Sequence, residues 1–372
     1  MSNKNENIIS EVLNIFRNEY NKQVILYGPP GTGKTYYSTI IAANLLIENH
    51  KELKYEDKNG EEQSIEKDKI EHYENNPEEA YEKAKEFLEF IGQDYYQLVQ
   101  FHPSYNYDDF VRGIKMSIES NQPVYEVVDK LFGDFAKKAA KEENKEKNFV
   151  LVIDEINRAP LASVLGELIY GLEYRGRKIS TPYAVKENDK ENDKIVVPDN
   201  LYIIGTMNTA DRSIGSIDYA VRRRFAFVPV RPDWNVVERS WEAGLQGLSE
   251  DSRKNYTECI RNLWTKINGP VSEQDSKESG SDSSKKLESN FSNEKQIINY
   301  EDGDVDFDDI KIGHSYFLFN KKKIKEDVEA YMNYRLKYEI KPILHEYRND
   351  GLITNSKKDI DDIKFGNKKE EK

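Results

Sequence analysis

Gly28-Pro29-Pro30-Gly31-Thr32-Gly33-Lys34-Thr35 has the residue types and spacing of a phosphate-binding loop, directly after the apolar run Gln23-Val24-Ile25-Leu26-Tyr27. In such a loop the backbone N–H groups wrap phosphate oxygens, aided by the positive end of the following helix. Lys34 then reaches the β- and γ-phosphates, and the Thr35 hydroxyl binds Mg²⁺. At average residue frequencies the four fixed positions match by chance in a chain of this length roughly once in a hundred sequences. The strand immediately before the loop lowers that figure.

A second chemical signal is Asp154-Glu155, which ends the apolar run Phe149-Val150-Leu151-Val152-Ile153. Acidic residues at the carboxyl end of a buried strand lie at the rim where α/β sheets bind ligands. Asp154 suits a hold on Mg²⁺ through its water shell, and Glu155 suits polarisation of an attacking water. By itself, Asp-Glu after a strand is more often a solvated loop start; after a phosphate loop it reads as a Walker B motif. The string Met207-Asn208-Thr209-Ala210-Asp211-Arg212-Ser213 follows another apolar run. Taken alone, it is an ordinary helix-capping turn.

The elements that must position these residues are legible as apolar runs. Gln23–Tyr27, Tyr96–Phe101, Phe149–Ile153, Leu201–Gly205 and Phe225–Val228 read as strands. Leu161, Leu165, Leu168, Ile169 and Leu172 recur at helical spacing. Strands separated by helical segments argue for a parallel sheet between helices. Alternating stretches between Gly113 and Lys130 flank Asn121-Gln122-Pro123 and resemble a hairpin. A charged stretch, about 46–90, is expected to be an exposed insertion. After Arg231-Pro232-Asp233 the pattern turns mostly helical, so a domain boundary is expected there. The Ser-, Lys- and Glu-rich stretch 273–295 has little to bury and reads as a disordered loop, and the chain closes on a charged tail.

Composition narrows the partners. A formal charge of −13 lacks the basic surplus of a protein that grips duplex DNA over a broad face, so DNA contact is expected to be local or made through a partner. The single cysteine, Cys259, excludes an internal disulfide framework and suits the cytoplasm. No apolar run is long enough to cross a bilayer, and the polar start has no signal-peptide core. The five histidines are scattered without zinc spacing. His102, before a proline, reads as packed or capping. For His314, an approach to the phosphates and a folding role both stand open.

Four strings together, Gln100-Phe101-His102-Pro103-Ser104-Tyr105, Asp154 through Ala159, Met207 through Ser213 and Asp218 through Phe225, resemble the AAA+ module of McrB proteins. That family drives modification-dependent restriction of DNA. The likeness spans about Val24 to Val230 and continues more weakly at Ile312-Gly313-His314-Ser315-Tyr316-Phe317 and Tyr338 through Leu344. The resemblance implies an AAA+ P-loop NTPase core over 1–230, with a parallel sheet between helices, and a smaller, mostly helical lid over 231–372. It implies Mg²⁺-dependent hydrolysis, with GTP favoured over ATP, although the loop's own contacts are all to phosphate and read no base. It also implies a homo-oligomeric ring, a hexamer, with sites at subunit boundaries and a McrC-like endonuclease as partner.

Residue roles follow from the same resemblance. Asn208 becomes sensor 1, bonded to the attacking water and γ-phosphate; Asn157 and Arg158 lie near the γ-phosphate; Asp211 positions groups at the subunit boundary. Arg222-Arg223-Arg224 stands where AAA+ proteins supply arginine fingers to a neighbour, with Arg223 the first choice and Arg224 the second. The plainer reading places these arginines at a helix C-terminus; one catalytic and the others structural satisfies both. McrB proteins carry a DNA-reading domain ahead of the motor, whereas about 22 residues precede the first strand here, too few for one. Recognition of modified DNA is therefore not expected of this chain. The rival readings are an ATP-driven protein remodeller of the MoxR or dynein-related kind, and a non-hydrolysing scaffold. The intact set Lys34, Asp154, Glu155 and Asn208 counts against the scaffold.

Overall fold

The computed structural model describes residues 7–18, 21–48, 54–56, 62–64, 77–91, 94–187, 190–210, 217–271, 296–299, 307–320 and 327–366. Its organising element is a five-stranded, all-parallel sheet. The strands in chain order are β1 (Gln23–Gly28), the short pair β2 (Lys54–Glu56) and β3 (Glu62–Ser64), β4 (Tyr96–Gln100), the hairpin β5 (Arg112–Glu119) and β6 (Gln122–Asp129), β7 (Phe149–Asp154), the hairpin β8 (Lys178–Glu187) and β9 (Lys190–Val196), β10 (Leu201–Asn208) and β11 (Ala226–Pro229). The central sheet has the order β11-β1-β10-β7-β4, with every neighbouring pair parallel.

Alternation along each strand explains the two covering layers. Val24, Leu26, Val150 and Val152 face one side with Ile204, where α1 (Asn7–Arg17), α2 (Lys34–Ile47) and the helix Pro77–Ile91 close over them. Ile25, Leu151 and Ile153 face the other side, under the helices Leu131–Ala139, Leu161–Leu165 and Leu168–Glu173. Successive side chains point to opposite faces, so a strand apolar at every position needs cover on both. A third apolar cluster, with Trp234, Trp241, Leu263, Trp264, Phe317 and Leu344, is built by the C-terminal helices. Among the described residues, no helix is long and apolar enough to cross a membrane.

Several expectations need correcting. The charged stretch 46–90 is not all surface: α2 runs to Ile47, and the helix Pro77–Ile91 buries Ala80, Ala84, Phe87, Leu88 and Ile91. Its apolar positions recur at helical spacing between charged ones, a stripe that overall charge conceals. The apolar repeat at Leu161–Leu172 is two short helices separated at Gly166-Glu167, because glycine weakens a continuous helix. The β8–β9 hairpin follows from no apolar run, its strands being mostly polar. The hairpin around Asn121 is present, with Ser120 and Asn121 at positive φ in its turn. The serine-rich stretch 273–295 lies outside the described residues.

Candidate active site

Register alone brings the three chemical strings to one place. β1 ends at Gly28, which pairs with Asn208 at the end of β10. Ile153 of β7 pairs with Gly205 of β10, so Asp154 and Glu155 emerge beside Thr206. All three strand ends point the same way, because the sheet is parallel. This is the carboxyl edge, where open α/β sheets bind ligands.

The phosphate loop then turns into α2. Gly33 is the N-cap, held left-handed at φ 81°, a conformation that costs glycine little. Thr32 is fully buried and bonds Pro29 O at 3.0 Å, which sets the curl of the loop. The Lys34 ammonium donates to Gly28 O at 2.9 Å and Pro29 O at 2.8 Å. Burial lowers its pKa to about 8, against the opposing pull of Glu155 and Asp154. A buried cation that, among the described residues, hydrogen-bonds to carbonyl oxygens alone is poised for an anion.

The acidic pair sits against this loop. Asp154 Oδ1 accepts from Thr35 Oγ1 at 3.3 Å and from Thr206 Oγ1 at 2.6 Å. The hydroxyl of Thr35 and the carboxylate of Asp154 are hard oxygens, the kind Mg²⁺ takes while keeping water and phosphate in its other positions. Glu155 is left-handed at φ 54°, an unusual state for a non-glycine residue that clusters at functional sites. Its N–H donates to Thr206 Oγ1 at 3.1 Å, and its carboxylate accepts from Asn208 Nδ2. Asn157 Nδ2 donates to Asn208 O at 3.3 Å, and Arg158 Nε lies 3.4 Å from Glu155 Oε2. Asn157 Oδ1 is buried without a hydrogen-bond partner among the described residues.

Thus Lys34, Thr35, Asp154, Glu155, Asn157, Arg158 and Asn208 come together. The arginine run does not join them. Arg224 O accepts from Gln23 Nε2 at 2.7 Å, which places the run at the amino end of β1. Five residue steps of strand, about 17 Å, separate it from Gly28. Within the run the side chains differ. Arg224 is buried, bonded to Glu173 Oε2 at 2.7 Å and to Ala220 O. Arg223 is two-thirds exposed, 3.6 Å from the same carboxylate. Arg222 lies over the Phe227 ring. Asp211 lies outside the described residues.

The C-terminal segment also reaches the loop. Gly313 N–H donates to Pro30 O at 3.2 Å and Ser315 N–H to Gly31 O at 2.9 Å. A Cβ on Gly313 would stand 2.2 Å from Gly31 C, so only glycine permits this approach. Arg231, just after β11, and Asp308, 2.7 Å apart, tie the same segment to the end of the core. His314 is buried here, whereas His102 is exposed, its ring edge-on to Tyr105.

Sequence reasoning missed Thr206, although its place two residues before Asn208 puts both on one face of β10. It also missed Arg112. That buried guanidinium bonds Asp129 Oδ1 and Thr181 Oγ1 at 2.7 Å each and Lys194 O at 2.9 Å, bracing one hairpin on the other. No local signal could have revealed the brace, because its partners on the second hairpin lie 69–82 residues away.

Sequence comparison with a family and with curated relatives points to the same kind of core. The family described as AAA domain (dynein-related subfamily) matches residues 81–225. The chain is 29% identical to the type IV methyl-directed restriction enzyme EcoKMcrB subunit of Escherichia coli (strain K12), over 88% of this chain and 54% of that protein. It is 30% identical to the type II restriction enzyme BsuMI component YdiS of Bacillus subtilis (strain 168), over 35% of this chain and 46% of that protein. The chain thus spans about half the length of these curated relatives. Among solved structures, a putative ATPase from Cytophaga hutchinsonii aligns over 69% of this chain and 62% of that one, at 12% identity and a TM-score of 0.32. With its parallel sheet between helices and its phosphate loop, the chain has an α/β AAA+ core, and over most of its length it is similar in sequence to a McrB restriction subunit.

Proposed function

We propose that the chain is a Mg²⁺-dependent GTP hydrolase, acting in the cytoplasm as the ring-forming motor of a DNA restriction system. The observation that carries this is the convergence of Lys34, Thr35, Asp154, Glu155 and Asn208 at one sheet edge. The loop amides and Lys34 hold the phosphate chain. Thr35 and Asp154 would hold Mg²⁺, which when bound neutralises charge on the β- and γ-phosphates. Glu155 polarises the attacking water and Asn208 orients it against the γ-phosphate. Asn157 and Arg158 steady these two groups. We assign residues 1–230 to the core and 231–372 to a lid.

The ring follows from the arginines. Arg223 is too far from its own phosphate loop to serve it, and its exposure leaves it available to a neighbour's. Arg224 anchors the turn that presents it, and Asp211 is assigned to the same subunit boundary. A hexamer is the assembly we favour. The GTP preference and a McrC-like endonuclease partner are drawn from the likeness to the McrB subunit. Ile114, Met116 and Ile118, with Tyr125 opposite Met116, form an exposed apolar stripe on the β5–β6 hairpin. Such a stripe suits contact with another protein.

The dynein-related family description favours a second reading, an ATP-driven protein remodeller. Steady-state hydrolysis of GTP and of ATP with Mg²⁺, at several protein concentrations, separates the two. GTP preference with specific activity rising steeply with concentration is expected. Preference for ATP moves the remodeller ahead, and no hydrolysis of either nucleotide at any concentration defeats both.

A further inference from the structure

We propose that His314 is a nucleotide-binding residue, its Nε2–H donating a hydrogen bond to an oxygen of the phosphate chain held by Gly28–Thr35. This rests on the NTPase reading above and adds to it a contact from outside the phosphate loop.

Placement comes first. The backbone on either side of His314 is fastened to the loop, through Gly313 N–H to Pro30 O and Ser315 N–H to Gly31 O. Between two such clips the side chain has little freedom. It is 5% exposed, and its Nε2 lies 3.7 Å from the point a Gly33 Cβ would occupy. Gly33 is the N-cap of α2, whose first N–H groups form the anion cradle.

The protonation state follows from the surroundings. Nδ1 accepts from the Asp233 N–H at 3.4 Å, so the single proton of a neutral ring resides on Nε2. Burial and the nearby Lys34 both oppose a positive charge, holding the pKa down to about 4. A second cation here would repel Lys34. A neutral imidazole offers a directed donor without that cost.

The donor faces the loop. Among the described residues the one hydrogen bond of the ring is at Nδ1, and Nε2 is not among the side-chain atoms sealed from solvent without a partner, so it can reach a bound group. A phosphate oxygen would meet it with a charge-assisted bond in place of water.

The experiment is equilibrium binding of fluorescent GTP and ATP analogues to the full chain at pH 7.5, with thermal melting to confirm that each variant folds. His314→Phe keeps a ring without a donor. His314→Asn keeps an acceptor near the Asp233 N–H but does not reach the Nε2 position, while His314→Gln places an amide N–H there. Affinity is expected to fall about tenfold to a hundredfold in the Phe and Asn variants, equally for both nucleotides, and to stay within about fivefold in the Gln variant. A folded Phe variant that binds as wild type does overturns the proposal, and so does a loss confined to one base. If wild type and Lys34→Ala bind alike, the NTPase reading itself fails. Should the variants not fold, ¹⁵N-histidine spectra of the wild-type chain decide: the His314 Nε2–H resonance should move downfield with nucleotide, and an unmoved resonance overturns the proposal.

Discussion

The Thr206 hydroxyl donates to Asp154 Oδ1 at 2.6 Å, and its own Oγ1 accepts the N–H of Glu155 at 3.1 Å. One side chain on β10 thereby fixes the rotamer of the first carboxylate and the strained backbone of the second. The two strands are neighbours in the sheet, so the acidic pair is held from the side as well as along its own strand.

Replacing this hydroxyl should therefore be felt twice. Thr206→Val keeps the shape but removes the acceptor of the Glu155 N–H and leaves Asp154 Oδ1 with the Thr35 hydroxyl alone, which costs about 1–3 kcal/mol. We expect a lower melting temperature and a severalfold rise in the Mg²⁺ concentration that gives half-maximal hydrolysis. Thr206→Ser should restore both. A valine variant with wild-type melting and Mg²⁺ response would remove Thr206 from the site.

Binding and chemistry should separate cleanly between Lys34 and Glu155. Lys34→Ala removes the buried cation and is expected to abolish nucleotide binding in a fluorescence titration. Glu155→Gln should bind normally and hydrolyse about 100-fold to 10,000-fold more slowly, the usual contribution of a positioned base. A Gln variant that hydrolyses as fast as wild type would show the water is activated elsewhere.

The two arginines should fail in different assays. Arg223→Ala, at an exposed position, should melt as wild type does and bind nucleotide, yet lose hydrolysis by roughly 1,000-fold. Mixing it with Glu155→Gln should recover some activity, since each ring then contains intact pairs. Arg224→Ala deletes a buried ion pair with Glu173 and a bond to Ala220 O, and should cost about 2–3 kcal/mol in urea unfolding. Verified mixed rings without recovery would argue against action between subunits.

His314 makes a pH prediction. Its folded pKa of about 4 lies below the ordinary 6.5, so between those values the unfolded chain binds more protons than the folded one. Stability must then rise with pH across that window, and be lost as pH falls from 6.5 towards 4. This one residue accounts for about 2 kcal/mol of loss between pH 7 and pH 5. Urea unfolding at the two pH values should show a larger loss for wild type than for His314→Gln. Equal losses would mean the ring is protonated within the fold.

The sequence by itself determined the phosphate loop, the acidic pair, the Asn208 string and the five apolar runs that became the parallel sheet. These were legible because each is a local pattern: fixed residues at fixed spacing, or continuous apolar character where a strand is covered on both faces. Tertiary structure alone decided which of the arginines is buried, because the Glu173 carboxylate that claims Arg224 lies 51 residues away and leaves its neighbour outside. It also decided that Arg112 braces two hairpins, and that Gly313 lies against Gly31. Contacts of that kind join residues far apart in the chain, and no periodicity records them. The helix Pro77–Ile91 stands between the two cases. Its apolar stripe was in the sequence, but only packing against α2 distinguished it from the charged surface around it.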